Sequence, residues 1–268
     1  MVKDNSQSED LVLEAERLEE LLSNALELGA GATGRALLVR RGESEAVLKV
    51  AHSEVYSDQF KEEFEILKEV AGAGGSPKAL SLCSNPPAIM CTFVGPYTLR
   101  HVVRDLNFSD ARLLGLSLRL CVAVQEVHDK GYIHNDLEAD NIVVDATGQI
   151  SIVDFGSTCR PGQTAVYRSC PTRNTAPEVL GGGQGTEASD VFALGGLLMK
   201  VVREMTNPPR TLRRLARKMR RPDPLRRPSL PSAVDSLARC YFSGDECEDE
   251  SQYESEAESE DESEVAGQ

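Results

Sequence analysis

Three side chains that carry oxygen, Asp136, Asn141 and Asp154, each stand at the margin of a short apolar run. Ile142-Val143-Val144 and Ile150-Ser151-Ile152-Val153 are rich in β-branched residues, and Ala146-Thr147-Gly148 lies between them. This is the pattern of a small hairpin. Asn141 precedes the first run and Asp154 follows the second, so pairing of the strands is expected to bring the two together. A carboxylate and an amide oxygen meeting there suit a hard divalent ion such as Mg²⁺, which keeps waters and takes further ligands from phosphate. Asp136, one loop away, is then a candidate base. The bland alternative is a hairpin with solvated acids at its ends, which would make the matches elsewhere in the chain coincidences.

This stretch resembles the catalytic loop and magnesium motif of protein kinases. The family's His-Arg-Asp-Leu-x-x-x-Asn stands here as His134-Asn135-Asp136-Leu137-Glu138-Ala139-Asp140-Asn141, followed by an intact Asp154-Phe155-Gly156. Upstream, Gly29-Ala30-Gly31-Ala32-Thr33-Gly34 is a weak signal alone, because dinucleotide-binding folds share it. A dinucleotide fingerprint opens a helix. Here the glycines lead into Ala36-Leu37-Leu38-Val39, a turn at Arg41-Gly42 and Ala46-Val47-Leu48-Lys49-Val50, which reads as strand, turn, strand. That is the setting of the kinase glycine-rich loop, with Lys49 at the position of the family's strand lysine. The stretch Ser57 to Val70 puts Phe60, Phe64 and Leu67 on one helical face. Glu63 is favoured over Glu62 and Glu65 as the partner of Lys49.

Further matches follow downstream. Ala176-Pro177-Glu178, Asp190 and Arg227 occur in the family's order. The resemblance implies that Asp190 holds the catalytic-loop backbone and that Arg227 forms a buried ion pair with Glu178. Antibiotic and choline kinases share the loop but lack this partner set. The resemblance runs from about residue 25 to about residue 242.

It implies an α+β, two-lobed protein-kinase-like fold. A five-stranded antiparallel sheet would form the N-lobe (11–94) and a mainly helical C-lobe would follow (95–243), between disordered polar ends at 1–10 and 244–268. Strands are expected over 79–83 and 88–94. Helices are expected from Asp10 to Leu22, from Thr98 to Leu106 and from Asp110 to Lys130, with His128 packed in the core. The implied ATP site is lined by Gly29, Gly31, Gly34, Ala36, Val47, Lys49, Glu63, Cys91, Thr92, Val94 and Val143. Cys91 would lie beside the adenine, and Thr92 to Val94 would form the hinge. Asn141 and Asp154 would hold Mg²⁺, and Asp136, Lys49 and Asn141 would carry the chemistry. The implied activity is transfer of the γ-phosphate of ATP to a protein hydroxyl, serine or threonine rather than tyrosine. A pseudokinase and a kinase of small cationic molecules stay open beside it.

Two substitutions depart from the family. Asn135 replaces the arginine that docks an activation-segment phosphate, so phosphorylation of Thr164, Tyr167, Ser169 or Thr172 would lack its main acceptor. Glu138 replaces a lysine near the transferred phosphate. A carboxylate there opposes the charge of ATP unless it faces the metal or a cation, and it argues against efficient transfer. The C-lobe is also short, with Arg210 to Arg221 in place of the family's larger docking region. One reading of that stretch is a helix burying Leu212, Leu215, Ala216 and Met219 with arginines outside. The other, compatible with it, is a docking patch for acidic partners, including the chain's own tail.

Charge supports a split of this kind. The chain of 268 residues has a formal net charge of −14, but residues 244–268 hold twelve acids and no lysine or arginine. The remainder has 31 acids against 29 bases and is nearly neutral. Nothing in it predicts a nucleic-acid binder. Seven scattered cysteines without a Cys-x-x-Cys pair indicate neither a zinc site nor a disulfide framework. Residues 1–10 lack an apolar signal core, and no apolar run approaches the ~18 residues of a membrane span. An intracellular monomer, cytoplasmic or nuclear, with a protein substrate and no membrane contact is expected.

Overall fold

The computed structural model describes residues 12–105, 108–163 and 172–243. Strands β1 (Leu26–Ala30), β2 (Gly34–Arg41), β3 (Ser44–Ala51), β4 (Ala79–Ser84) and β5 (Pro87–Thr92) form one antiparallel sheet in the order β1-β2-β3-β5-β4. Strand alternation divides its side chains between two faces. Leu37, Val39, Leu48 and Met90 turn to one side, where helix α1 (Ala15–Ser23) covers them with Leu18 and Leu21. Residues of the opposite parity share the other face, and the register pairs Ala36 with Lys49 and Val47 with Cys91. The β2–β3 turn is two residues long, and Gly42 supplies its left-handed φ of 63°.

Helix α2 (Ser57–Val70) packs Phe60, Phe64, Leu67 and Val70 into the main core. After it, Gly75 (φ +66°) comes so near the backbone of Ile150 that a Cβ would collide with the carbonyl oxygen. The connection from α2 to β4 is thereby seated against a second sheet, in which β6 (Ile142–Val144) pairs antiparallel with β7 (Ile150–Ile152). The rest is helical: α3 (Leu99–Asp105), α4 (Asp110–Asp129), α5 (Pro177–Leu180), α6 (Glu187–Glu204), α7 (Arg210–Met219) and α8 (Leu230–Ser243). One apolar cluster runs from Phe60 through Leu120, Ile142 and Leu198 to Leu212 and Leu237. This is the two-lobed α+β architecture that the sequence predicts.

Element boundaries differ in two places. Helix α1 starts at Ala15, because Leu13 first donates a backbone hydrogen bond to Leu82 (2.9 Å) and is buried beside β4. Strand β5 stops at Thr92, where Lys78 makes the last pairing of β4 with it, so Phe93 and Val94 have no strand to join. Helices α3 and α4 keep to within a residue of expectation. Only residues 205–209 separate α6 from α7. The ends at 1–10 and 244–268, with Thr164, Tyr167 and Ser169, lie outside the described residues. No helix among the described residues is long and apolar enough to cross a membrane.

One ion pair closes the helical part. Arg227, with its side chain fully buried, binds Glu178 through both terminal nitrogens (2.6 and 2.8 Å) and also donates to the carbonyls of Ala188, Pro222 and Arg221. Against the effect of burial, these hydrogen bonds hold Glu178 below the ordinary glutamate range. Removing the arginine would orphan a carboxylate and three carbonyls. Arg227→Ala should lower unfolding free energy by about 3–5 kcal/mol, and Glu178→Ala by less because the Arg227 guanidinium keeps its three carbonyl acceptors. Chemical denaturation of the two variants checks the order.

Candidate active site

Lys49 lies on the sheet face opposite α1 and makes three close contacts. Its ammonium donates to both carboxylate oxygens of Glu63 (2.8 Å each) and to Asp154 Oδ1 (2.7 Å). Glu63 sits on the inward face of α2 and is 3% exposed, whereas Glu62 and Glu65 are on the outer face. Asp154 follows β7 with a φ of 63°, a left-handed conformation that Asp tolerates better than most residues. Burial works against the charge on Lys49, but the carboxylates of Glu63 and Asp154 outweigh it and raise its pKa. Lys49 in turn is the main cause of the lowered pKa of Asp154.

The loop before β6 is arranged around a buried carboxylate. Asp190, near the start of α6, accepts the backbone N–H of His134 (2.8 Å) and of Asn135 (2.9 Å). It is also 2.9 Å from Nε2 of His128 on α4. His128 is therefore a core histidine, as its place on an apolar helix face implies, and it also shares the carboxylate that shapes the loop. Beyond this anchor, Asn141 donates its amide to Asp136 twice, to the carbonyl (2.9 Å) and to Oδ2 (3.1 Å). Burial raises the pKa of Asp136, and the Asp154 and Glu138 carboxylates add to this against the opposing effects of His134 and Asn141. Pairing of Ile142 with Ile152, and of Val153 N–H with Asn141 O (2.9 Å), brings the outer ends of the hairpin together.

Around this centre the remaining candidate residues occupy two regions. Ala36, Val47 and Cys91 share the Lys49 face, and burial pushes the Cys91 thiol up to about 12. Val143 bridges to Thr98, and its side chain lies under Gly95, just past Val94. Thr92 is tied to Lys78 through its backbone and hydroxyl. At the glycine-rich turn, Gly34 is required by the fold, because a Cβ there would collide with Val50 O. Gly29 borders open space, and a Cβ at Gly31 would make only ordinary contact with Gly34 O. The turn itself is held by Gly31 N–H to Gly34 O (2.8 Å) and by the ring of His52 on Gly31 O (3.0 Å).

A family model described as "Protein kinase domain" matches residues 22–211. The chain belongs to the protein kinase domain family. Among curated proteins it is 28% identical over 190 residues to protein kinase C zeta type from Oryctolagus cuniculus, covering 65% of this chain and 32% of that protein. It is 29% identical over 208 residues to serine/threonine-protein kinase PknK from Mycobacterium bovis (72% and 19%). It is 32% identical over 190 residues to the DNA damage-responsive serine/threonine-protein kinase RqkA of Deinococcus radiodurans (65% and 28%). This kinase domain thus spans between 19% and 32% of the length of these three relatives.

Protein kinases generally use ATP and Mg²⁺, and the donor set fits the ion. Asn141 spends its amide nitrogen on Asp136, and Asp154 directs Oδ1 to Lys49 and Gly156. Asn141 Oδ1 and Asp154 Oδ2 make no hydrogen bond among the described residues. Two hard oxygens with ligand positions left for water and phosphate match what Mg²⁺ takes.

The two departures from the family pattern each make several bonds within the domain. Asn135 (φ 62°) donates its amide to Ser157 O (3.1 Å), Ile133 O (3.3 Å) and Cys159 Sγ (3.1 Å). It thereby joins the catalytic loop to the residues after Gly156. Glu138 accepts from the Thr172 hydroxyl and the Asn174 amide (3.0 Å), with Lys200 Nζ 3.6 Å away. A third contact was not legible in any motif. Arg160 donates to Glu69 of α2 (2.6 Å) and to the Tyr132 hydroxyl (3.1 Å), and Tyr132 donates to Glu69 (2.5 Å). This links the helix that carries Glu63 to the start of the catalytic loop and to the residues after Gly156.

Titration separates the carboxylates. Asp154 should titrate below the ordinary ~3.9 and Asp136 above it. A lowered carboxylate stabilises the fold fully above its unfolded pKa, and that contribution is lost as pH falls through the folded value. In Lys49→Met the main lowering influence on Asp154 is gone while burial remains, so its NMR titration midpoint should rise. Restoring the family residue with Glu138→Lys should destabilise the domain by about 2–3 kcal/mol, because it breaks two charge-assisted bonds and places a cation beside Lys200. Thermal and denaturant melts against Glu138→Gln check this.

Proposed function

We propose that this domain is an active phosphotransferase that moves the γ-phosphoryl group of ATP to a protein hydroxyl, serine or threonine rather than tyrosine. The reading rests on one observation above all: Lys49 is held by Glu63 and Asp154 together, at 2.8 and 2.7 Å, while Asn141 fixes Asp136 nearby. Each group is already in place, which is the kind of preorganisation that phosphoryl transfer requires. The hydroxyl specificity follows the names of the relatives, two of which are called serine/threonine-protein kinases.

In this mechanism Lys49 pairs with the α- and β-phosphates, and the open space at Gly29 lets backbone lie close over them. Asn141 and Asp154 would hold Mg²⁺, which when bound offsets charge on the phosphates. Asp136 orients the substrate hydroxyl and accepts its proton. The hydroxyl oxygen then bonds to the γ-phosphorus as the bond to the ADP oxygen breaks. Glu138 is held by Thr172 and Asn174, and the Lys200 ammonium 3.6 Å away offsets part of its charge, which weakens the argument for a pseudokinase.

Incubation of the wild type and Asp136→Asn with labelled ATP, Mg²⁺ and a protein acceptor tests the reading. Transfer should fall about 10²–10⁴-fold in the variant while nucleotide affinity is kept. Asp136 must be ionised to accept a proton, so the wild-type rate should fall as pH drops through a midpoint above ~3.9, and the variant should lose that limb. Nucleotide binding without transfer from the wild type would establish the pseudokinase instead.

A further inference from the structure

A strongly basic surface outside the cleft lies on α7. Its ten residues contain no acid. Leu212, Leu215, Ala216 and Met219 are buried, while Arg210, Arg213 and Arg217 are exposed, as is Arg221 just beyond the helix. Steps of three and four residues put Arg210, Arg213 and Arg217 on one stripe, roughly 10 Å long at 1.5 Å per residue, with Arg221 just past its end. Among the described residues, Arg210, Arg213 and Arg217 have no acidic side chain within ion-pair distance. Like charges at this spacing repel one another along the helix.

We propose that this stripe is the docking surface for the chain's own acidic segment, residues 244–268. That segment follows directly on α8, which ends at Ser243 and packs against α7. It holds twelve acids without a lysine or arginine, and Ser251, Ser255, Ser259 and Ser263 recur in it every four residues. Twenty-five residues reach up to about 80 Å when extended, farther than any crossing of a domain this size. Covalent attachment sets an effective concentration of order 1 mM, so even a weak charge contact is populated in cis. A nucleic acid is a poorer occupant, because it must approach a chain of net charge −14 and displace this tethered polyanion. Phosphorylation of the repeated serines would add about −1.5 to −2 charges each and tighten the contact.

The test uses the full chain and an endoprotease that cuts after glutamate, with cleavage within 244–268 followed by mass spectrometry. Arg213→Glu/Arg217→Glu removes the stripe at exposed positions outside the catalytic machinery, and a thermal melt confirms that both proteins are folded. At about 20 mM salt the wild-type segment should be cut roughly fivefold more slowly than in the double variant, and the difference should vanish near 500 mM salt. Protection should not depend on protein concentration. Equal rates at low salt would overturn the proposal. Protection that grows with concentration would assign the stripe to a second copy instead. Tight binding of a short DNA duplex to the wild type, lost in the double variant without any change in cleavage, would assign it to nucleic acid.

Discussion

A single ammonium group, Lys49 Nζ, is where the parts of this structure meet. It comes from the sheet, it is held by a carboxylate from α2, and it reaches the acid that follows β7. Burial of a lone lysine is unfavourable, so the arrangement stands only while both acids are in place. Each acid depends in turn on local structure. Glu63 faces inward because α2 presents Phe60, Phe64 and Leu67 on that side. Asp154 reaches back because its backbone turns left-handed after a three-residue strand.

The catalytic loop has a second fixed point of opposite sign. Asp190 is buried on α6 and satisfies two backbone N–H groups of the loop while resting against His128. Around it, three further contacts tie the loop to its neighbours. The Asn135 amide binds the residues after Gly156 directly, so the start of the activation segment is joined to the loop without an added phosphate. The Arg160–Glu69–Tyr132 contact extends that connection to α2. Glu138 closes the far end through Thr172 and Asn174. Together these bonds join the catalytic loop to α2, to the residues after Gly156 and to Thr172 and Asn174.

Part of this was legible in the sequence from local pattern, and part from the resemblance to the kinase family. A turn between β-branched runs put Asn141 near Asp154, and helical spacing put Phe60, Phe64 and Leu67 on one face, while the resemblance placed Ala36, Val47 and Lys49 at the nucleotide site and Glu63 beside Lys49. What stayed hidden depends on tertiary proximity without a local pattern. Glu69, Tyr132 and Arg160 are 91 residues apart from first to last and share no motif. For Glu138, sequence shows the charge but not the Thr172 and Asn174 donors that face it. The late start of α1 and the early end of β5 were likewise set by pairing partners, Leu82 and Lys78, rather than by propensity.

The claim that the two free oxygens of Asn141 and Asp154 and the ammonium of Lys49 form one nucleotide-metal site can be tested most directly by calorimetry. ATP is titrated into the wild type and into Asp154→Asn, each with and without Mg²⁺. The account predicts that binding to the wild type strengthens at least about tenfold when Mg²⁺ is present, a gain of ~1.4 kcal/mol, and that the variant loses this gain. Equal Mg²⁺ dependence in both proteins, or ATP binding to the wild type that ignores the ion, would contradict it.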